Sequence, residues 1–217
     1  METVRQVMTP ATPSTPAQHN RYARMLQAAT AMLATGGEEA LQMKELADRA
    51  EVSLATLYRY FPAKDHVLLA ISYSRYENAL RRISSEVPHG DTVQERVTNH
   101  MLREFRAEQR DQLLTVALTR VLSDTRPEYR QVLTKIEQLH MRVLEHVAMT
   151  GGPVSHELHQ RLRIVADVFG AATRRWLAGV SSAAQARFEI RMGCYLLRAP
   201  DSLPVHAMAS AAESGEV

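Results

Sequence analysis

The chain has 217 residues, 45% hydrophobic and 23% charged, with 26 basic and 24 acidic side chains for a net charge of +2. That much apolar material offsets the ordering entropy of a packed chain and excludes disorder for most of it. No apolar run approaches the ~20 residues that a membrane helix needs. Residues 1–20 lack the hydrophobic stretch of a signal peptide. The one cysteine, Cys194, cannot close an internal disulfide, so a reducing cytoplasm and a core role are expected.

Residues 1–19 hold Pro10, Pro13 and Pro16 among small polar residues and read as a disordered arm. A first helix is expected from about Arg21 to Thr35, with Tyr22, Met25, Leu26, Ala29, Met32 and Leu33 on one face and Gly36-Gly37 ending it. A short second helix covers Met43 to Ala50. Ser53 can cap a third, Leu54 to Phe61, which Pro62 stops. A fourth runs from Lys64 to about Ser85, and Asp91 is read as the cap of the next. Apolar stripes then continue through Phe105, from Leu113 to Leu122, from Pro127 to Val147, from Ser155 to Leu177 and from Ser182 to Leu197. Residues 199–217, with Pro200 and Pro204, read as a disordered tail. No alternating strand pattern occurs, so the expectation is an all-α chain of about nine helices.

Residues 43–61 place two short helices around a tight turn. The second is too short to stand alone and must be held through Leu57 and Phe61. A short supported helix with a polar outer face is the geometry of a helix-turn-helix reader of the DNA major groove. Ser53, Leu54, Ala55, Thr56, Tyr58, Arg59 and Tyr60, with Lys44 and Lys64 beside them, are the candidate contacts. Their hydroxyls and cations suit phosphates and base edges. From Arg21 to His66 the charges cancel, so binding would depend on placement and on two heads acting together.

Ala47-Asp48-Arg49-Ala50-Glu51-Val52-Ser53, followed by Thr56-Leu57-Tyr58-Arg59-Tyr60-Phe61-Pro62-Ala63-Lys64, resembles the DNA-binding segment of TetR-family transcriptional regulators. The resemblance implies a helix-turn-helix head at 20–66 and a helical effector-binding and dimerisation body at 67–198. It also implies release from a palindromic operator when an effector binds. Thr56 and Tyr58 match the family's phosphate and base-edge contacts, Tyr60 a phosphate contact, and Lys64 the lysine that grips the backbone at the start of the fourth helix. Three positions depart from the pattern. Glu51 stands for a turn glycine, and Gln42 and Ala63 stand for capping residues.

The body resembles that of the KstR-type regulators of steroid catabolism through Leu113-Leu114-Thr115, Thr119-Arg120, Val165-Ala166-Asp167-Val168 and Trp176-Leu177-Ala178. That likeness implies a large hydrophobic effector, a steroid or an acyl coenzyme A thioester. Met101, Phe105, Leu114, Leu118, Phe169 and Trp176 are the candidate pocket walls, and Arg120 and Arg174 candidate partners for an acidic group. Family analogy places a homodimer interface on the last two helices. No cofactor and no metal are expected. His156 and His159 share a helix face but lack the spacing of a zinc His-Glu-x-x-His motif. Two other classes stay open at this point, a helical-bundle adaptor without DNA binding and a helical-bundle enzyme. Against the enzyme, the chain has no Gly-rich phosphate loop and no paired carboxylates.

Overall fold

The computed structural model describes residues 12–85, 88–148 and 153–198. Among them are nine α-helices and no strand: α1 (Pro16–Ala40), α2 (Met43–Arg49), α3 (Leu54–Tyr60), α4 (Lys64–Ile83), α5 (Val93–Arg110), α6 (Gln112–Leu122), α7 (Arg130–Ala148), α8 (His156–Leu177) and α9 (Ala183–Cys194). Two 3-10 turns, Pro127–Tyr129 and Tyr195–Arg198, precede α7 and follow α9.

Local chemistry explains most helix ends. Ser53, Ser155 and Ser182 each accept a backbone N–H of the first turn, from Thr56, Leu158 and Gln185. Two starts differ from the sequence reading. α1 begins at Pro16, inside the stretch expected to be disordered, because Thr15 accepts the Gln18 N–H and proline suits the first helical position. The remainder of that arm up to residue 11, and the expected tail, lie outside the described residues. Asp91 does not cap α5. Thr92 and Glu95 form a reciprocal capping box, with the Glu95 N–H on Thr92 Oγ1 and the Glu95 carboxylate on the Thr92 and Asp91 N–H groups. Gly37 breaks α1 where a glycine was expected to end it, with φ 64° and ψ −160°, a conformation that residues with a Cβ resist. One more turn, Glu38 to Ala40, follows.

The chain folds as two compact units. The first contains residues 12–77 and Glu108–Glu137; the second contains Asn78–Ala107 and residues 138–198. In the first, α6 lies against α1 and adds Leu114, Ala117, Leu118 and Val121 to a core with Met25, Leu33, Leu46, Leu57, Phe61 and Leu68. In the second, α5, α7, α8 and α9 bury Val97, Met101, Phe105, Leu144, Leu162, Phe169 and Ile190. α9 packs closely on α8 at Gly193, where an added Cβ would sit 3.0 Å from Val168 Cγ1.

Candidate nucleic-acid interface

The helix-turn-helix is locked from its inner side. Leu46 and Leu57 are fully buried and Phe61 is 1% exposed. The turn between α2 and α3 runs through Glu51 at φ 54°, the left-handed conformation that a glycine would take most cheaply. It is closed by the Val52 N–H on the Ala47 carbonyl at 3.0 Å. Arg24 of α1 donates from Nε to the Ala50 carbonyl at 3.4 Å, tying this turn to the first helix.

With the inner face fixed, α3 presents Ser53, Leu54, Ala55, Tyr58 and Arg59 to solvent, with Thr56 half-buried. Leu54 is 39% and Tyr58 40% exposed, large values for side chains of their size, so an apolar edge and a phenol stand ready for a partner. Ser53 Oγ accepts the Thr56 N–H at 3.1 Å and donates to Thr56 Oγ1 at 2.9 Å, which leaves the Thr56 hydroxyl proton for an outside acceptor. Arg49 pairs with Glu45 one turn back, whereas Lys44 and Arg59 are exposed cations.

Tyr60 corrects the expected outer face. It is 2% exposed, because it follows Leu57 by three residues and so shares its inward side. Its ring meets Tyr22 edge-on at 5.7 Å between centroids, and Tyr22 also packs on Phe61 at 5.2 Å. Burial, assisted by Glu77 and Tyr73, pushes the Tyr22 hydroxyl up to about 12, so this aromatic group stays neutral.

Lys64 opens α4 half-buried, and its Nζ donates to the Glu38 carbonyl at 3.1 Å. Around it lies a charge cluster that local sequence does not announce. Arg120 of α6 forks onto the Glu38 carboxylate, Nε to Oε2 at 2.7 Å and Nη2 to Oε1 at 2.9 Å, and reaches Asp65 Oδ1 at 2.5 Å. Arg126 bonds the second Asp65 oxygen and Asp124, and the Tyr129 hydroxyl donates to Asp65 at 3.3 Å. Burial works to raise the Asp65 carboxyl, but the Arg120 and Arg126 hydrogen bonds outweigh it and hold the group below the usual carboxylate range.

The expected effector residues are divided between the two units. Met101, Phe105, Phe169 and Trp176 belong to the second unit, where Phe105 meets Trp176 edge-on at 5.2 Å. Leu114 and Leu118 are instead core of the first unit, and Arg120 is engaged by Glu38 and Asp65. Arg174 is exposed on the last turn of α8. His159 is taken by Glu145 at 2.7 Å, and the described residues hold no group of three metal-ligating side chains. No helix among them is long and apolar enough to cross a membrane.

A short helix clamped by its inner face and presenting a mixed polar edge defines a helix-turn-helix DNA-binding protein. The model of bacterial regulatory proteins of the tetR family matches residues 25–71, and that of the tetracyclin repressor-like C-terminal domain matches residues 90–197. The HTH-type transcriptional repressor KstR of Rhodococcus jostii is 34% identical over 188 residues, covering 85% of each chain. The crystal structure of a TetR transcriptional regulator from Rhodococcus sp. RHA1 is similar, with a TM-score of 0.76 and 26% identity over 86% of this chain and all of that one. The fold is also that of the Bacillus subtilis regulator FadR in complex with stearoyl-CoA, at a TM-score of 0.61 and 17% identity over 81% and 97% of the two chains. The chain belongs to the tetR family of transcriptional regulators. It is a DNA-binding regulator and not an enzyme; regulators of this family bind operators and small-molecule effectors, and dimerise.

Proposed function

We propose that this regulator is a cytoplasmic repressor that holds a palindromic operator as a homodimer and leaves it when a large hydrophobic effector binds. The observation that carries the DNA half is the outward set on α3: Leu54, Thr56, Tyr58 and Arg59 on a helix whose other side is buried. Tyr58 and Thr56 read base edges and phosphate, and Lys64 grips phosphate at the start of α4. Lys44 contributes a backbone contact from α2.

The effector half rests on the second unit. Met101, Phe105, Phe169 and Trp176 make an aromatic and thioether cluster suited to a steroid or long acyl chain, with Arg174 the candidate cation for an acidic end. The KstR likeness and the stearoyl-CoA bound to FadR support the same ligand class. For the dimer, α8 and α9 leave Ile164, Phe188 and Met192 about half exposed, an apolar set that an isologous partner surface would cover.

In-vitro selection of bound DNA tests the first half, with a palindrome expected. Tyr58→Ala weakens the selected site by about 1–3 kcal/mol while the melting temperature holds. A loss of fold stability instead would make Tyr58 a core residue and refute the assignment. For the second half, a steroid or long-chain acyl thioester dissociates the complex and changes Trp176 fluorescence over the same concentrations. Release by a small hydrophilic compound, with the thioesters inert, would overturn the effector class.

A further inference from the structure

We infer that Arg120 is a positioning residue for DNA binding: it sets the place of Lys64 by gripping both points to which that lysine is attached. The inference rests on the reading of Lys64 as a phosphate contact and deepens it.

Lys64 has two tethers in the structure. Its ammonium leans on the Glu38 carbonyl, and its backbone is followed directly by Asp65. The Arg120 guanidinium holds the Glu38 carboxylate with two bonds of 2.7 and 2.9 Å and the Asp65 carboxylate with a third of 2.5 Å. One planar group thus fixes the residue that supplies the lysine's acceptor and the residue next to it in the chain. A guanidinium suits this because its fork is rigid, where an ammonium is a point charge.

The base of that fork is fixed in turn. Arg120 sits on α6 between Ala117 and Val121, both fully buried, so the helix that carries it cannot roll without opening the core. The other end is held as well, since Arg126 and Tyr129 occupy the second Asp65 oxygen. Glu38 lies directly after the break at Gly37, on a single turn with little helical support of its own, so its side-chain anchor matters more than usual. Ion pairs this exposed contribute little to stability, so the arrangement serves geometry more than folding.

The test is a double-mutant cycle on operator affinity and its salt dependence, with full-length protein. Lys64→Ala lowers the slope of log affinity against log salt by about one unit per head. Arg120→Ala is expected to lower it similarly, the double variant to be no weaker than either single one, and Arg120→Lys to recover only part of the loss. Melting temperature checks that each variant folds. Additive losses, or an Arg120→Ala slope equal to wild type while Lys64→Ala changes it, would overturn the inference alone. A Lys64→Ala slope equal to wild type would overturn the phosphate reading of Lys64 and the inference with it.

Discussion

The two units bury apolar side chains alike but use charge differently. In the first, cations and anions far apart in the chain meet at one place: Arg120 and Arg126 with Glu38 and Asp65. In the second, ion pairs join one cation to one carboxylate, within a turn in Arg161–Glu157 and His100–Glu104 and between helices in His159–Glu145 and Arg175–Glu189, and the exposed faces of α8 and α9 carry Ile164, Phe188 and Met192. Groups that share several partners, as Arg120, Arg126 and Asp65 do, are held more firmly than a group with a single partner. The first unit is thus equipped to hold polar groups at set spacing before a polyanion, and the second to meet apolar surface.

Substitutions in the two units sharpen this contrast. The largest effect is expected at Phe105, fully buried and edge-on to Trp176: Phe105→Ala lowers unfolding free energy by about 3–5 kcal/mol, read by denaturant titration with Trp176 emission. A loss below about 1 kcal/mol would show that the second unit tolerates a cavity there. Next comes Phe188→Glu on α9, 57% exposed. It is expected to shift sedimentation from dimer to monomer at a cost to association of about 2 kcal/mol or more. The same charge placed at Leu113, 48% exposed in the first unit, leaves the dimer intact; equal effects would erase the distinction.

Smaller is the gain from Glu51→Gly, expected to stabilise the first unit by about 1 kcal/mol because it removes a Cβ from a left-handed residue. An unchanged or lower melting temperature would mean that the turn carries no strain. The smallest effect is on pH dependence. Burial lowers the pKa of His66 in the first unit and of His100 in the second. Unfolded imidazoles then take up protons that folded ones refuse, so stability falls as pH drops below about 6.5. His66→Gln and His100→Gln each flatten part of that slope. Asp65 works at lower pH: its stabilising charge is present above the unfolded carboxyl value near 3.8 and is lost as pH falls through the depressed folded value.

What was legible in the sequence was local. Ser53 caps where it was expected to, and Ser155 and Ser182 cap helices that were expected to begin at them, since a cap needs only a hydroxyl and the next three residues. The α3 face was readable except at Tyr60, whose spacing from Leu57 put it inward while its phenol argued for the surface. The Thr92–Glu95 box was also present in the sequence, masked by the neighbouring Asp91. The Arg120 contacts were not legible, because its partners lie 82 and 55 residues away and a distant ion pair leaves no periodic trace. Leu114 and Leu118 showed the same limit: the stripe told that they are buried, but not that α1 is what covers them.

The first unit's core is discontinuous in the chain, and that bears on the order of synthesis. When residues 12–77 have left the ribosome, the helix-turn-helix is spelled out in full but lacks Leu114, Ala117, Leu118, Val121 and Tyr129. Until α6 emerges, the nascent chain exposes the side of α1 that α6 covers, the kind of transient apolar surface that chaperones bind. Operator binding is therefore expected to need translation of the middle of the chain. A fragment cut at the end of α4 is expected to be a poor stand-in for the head.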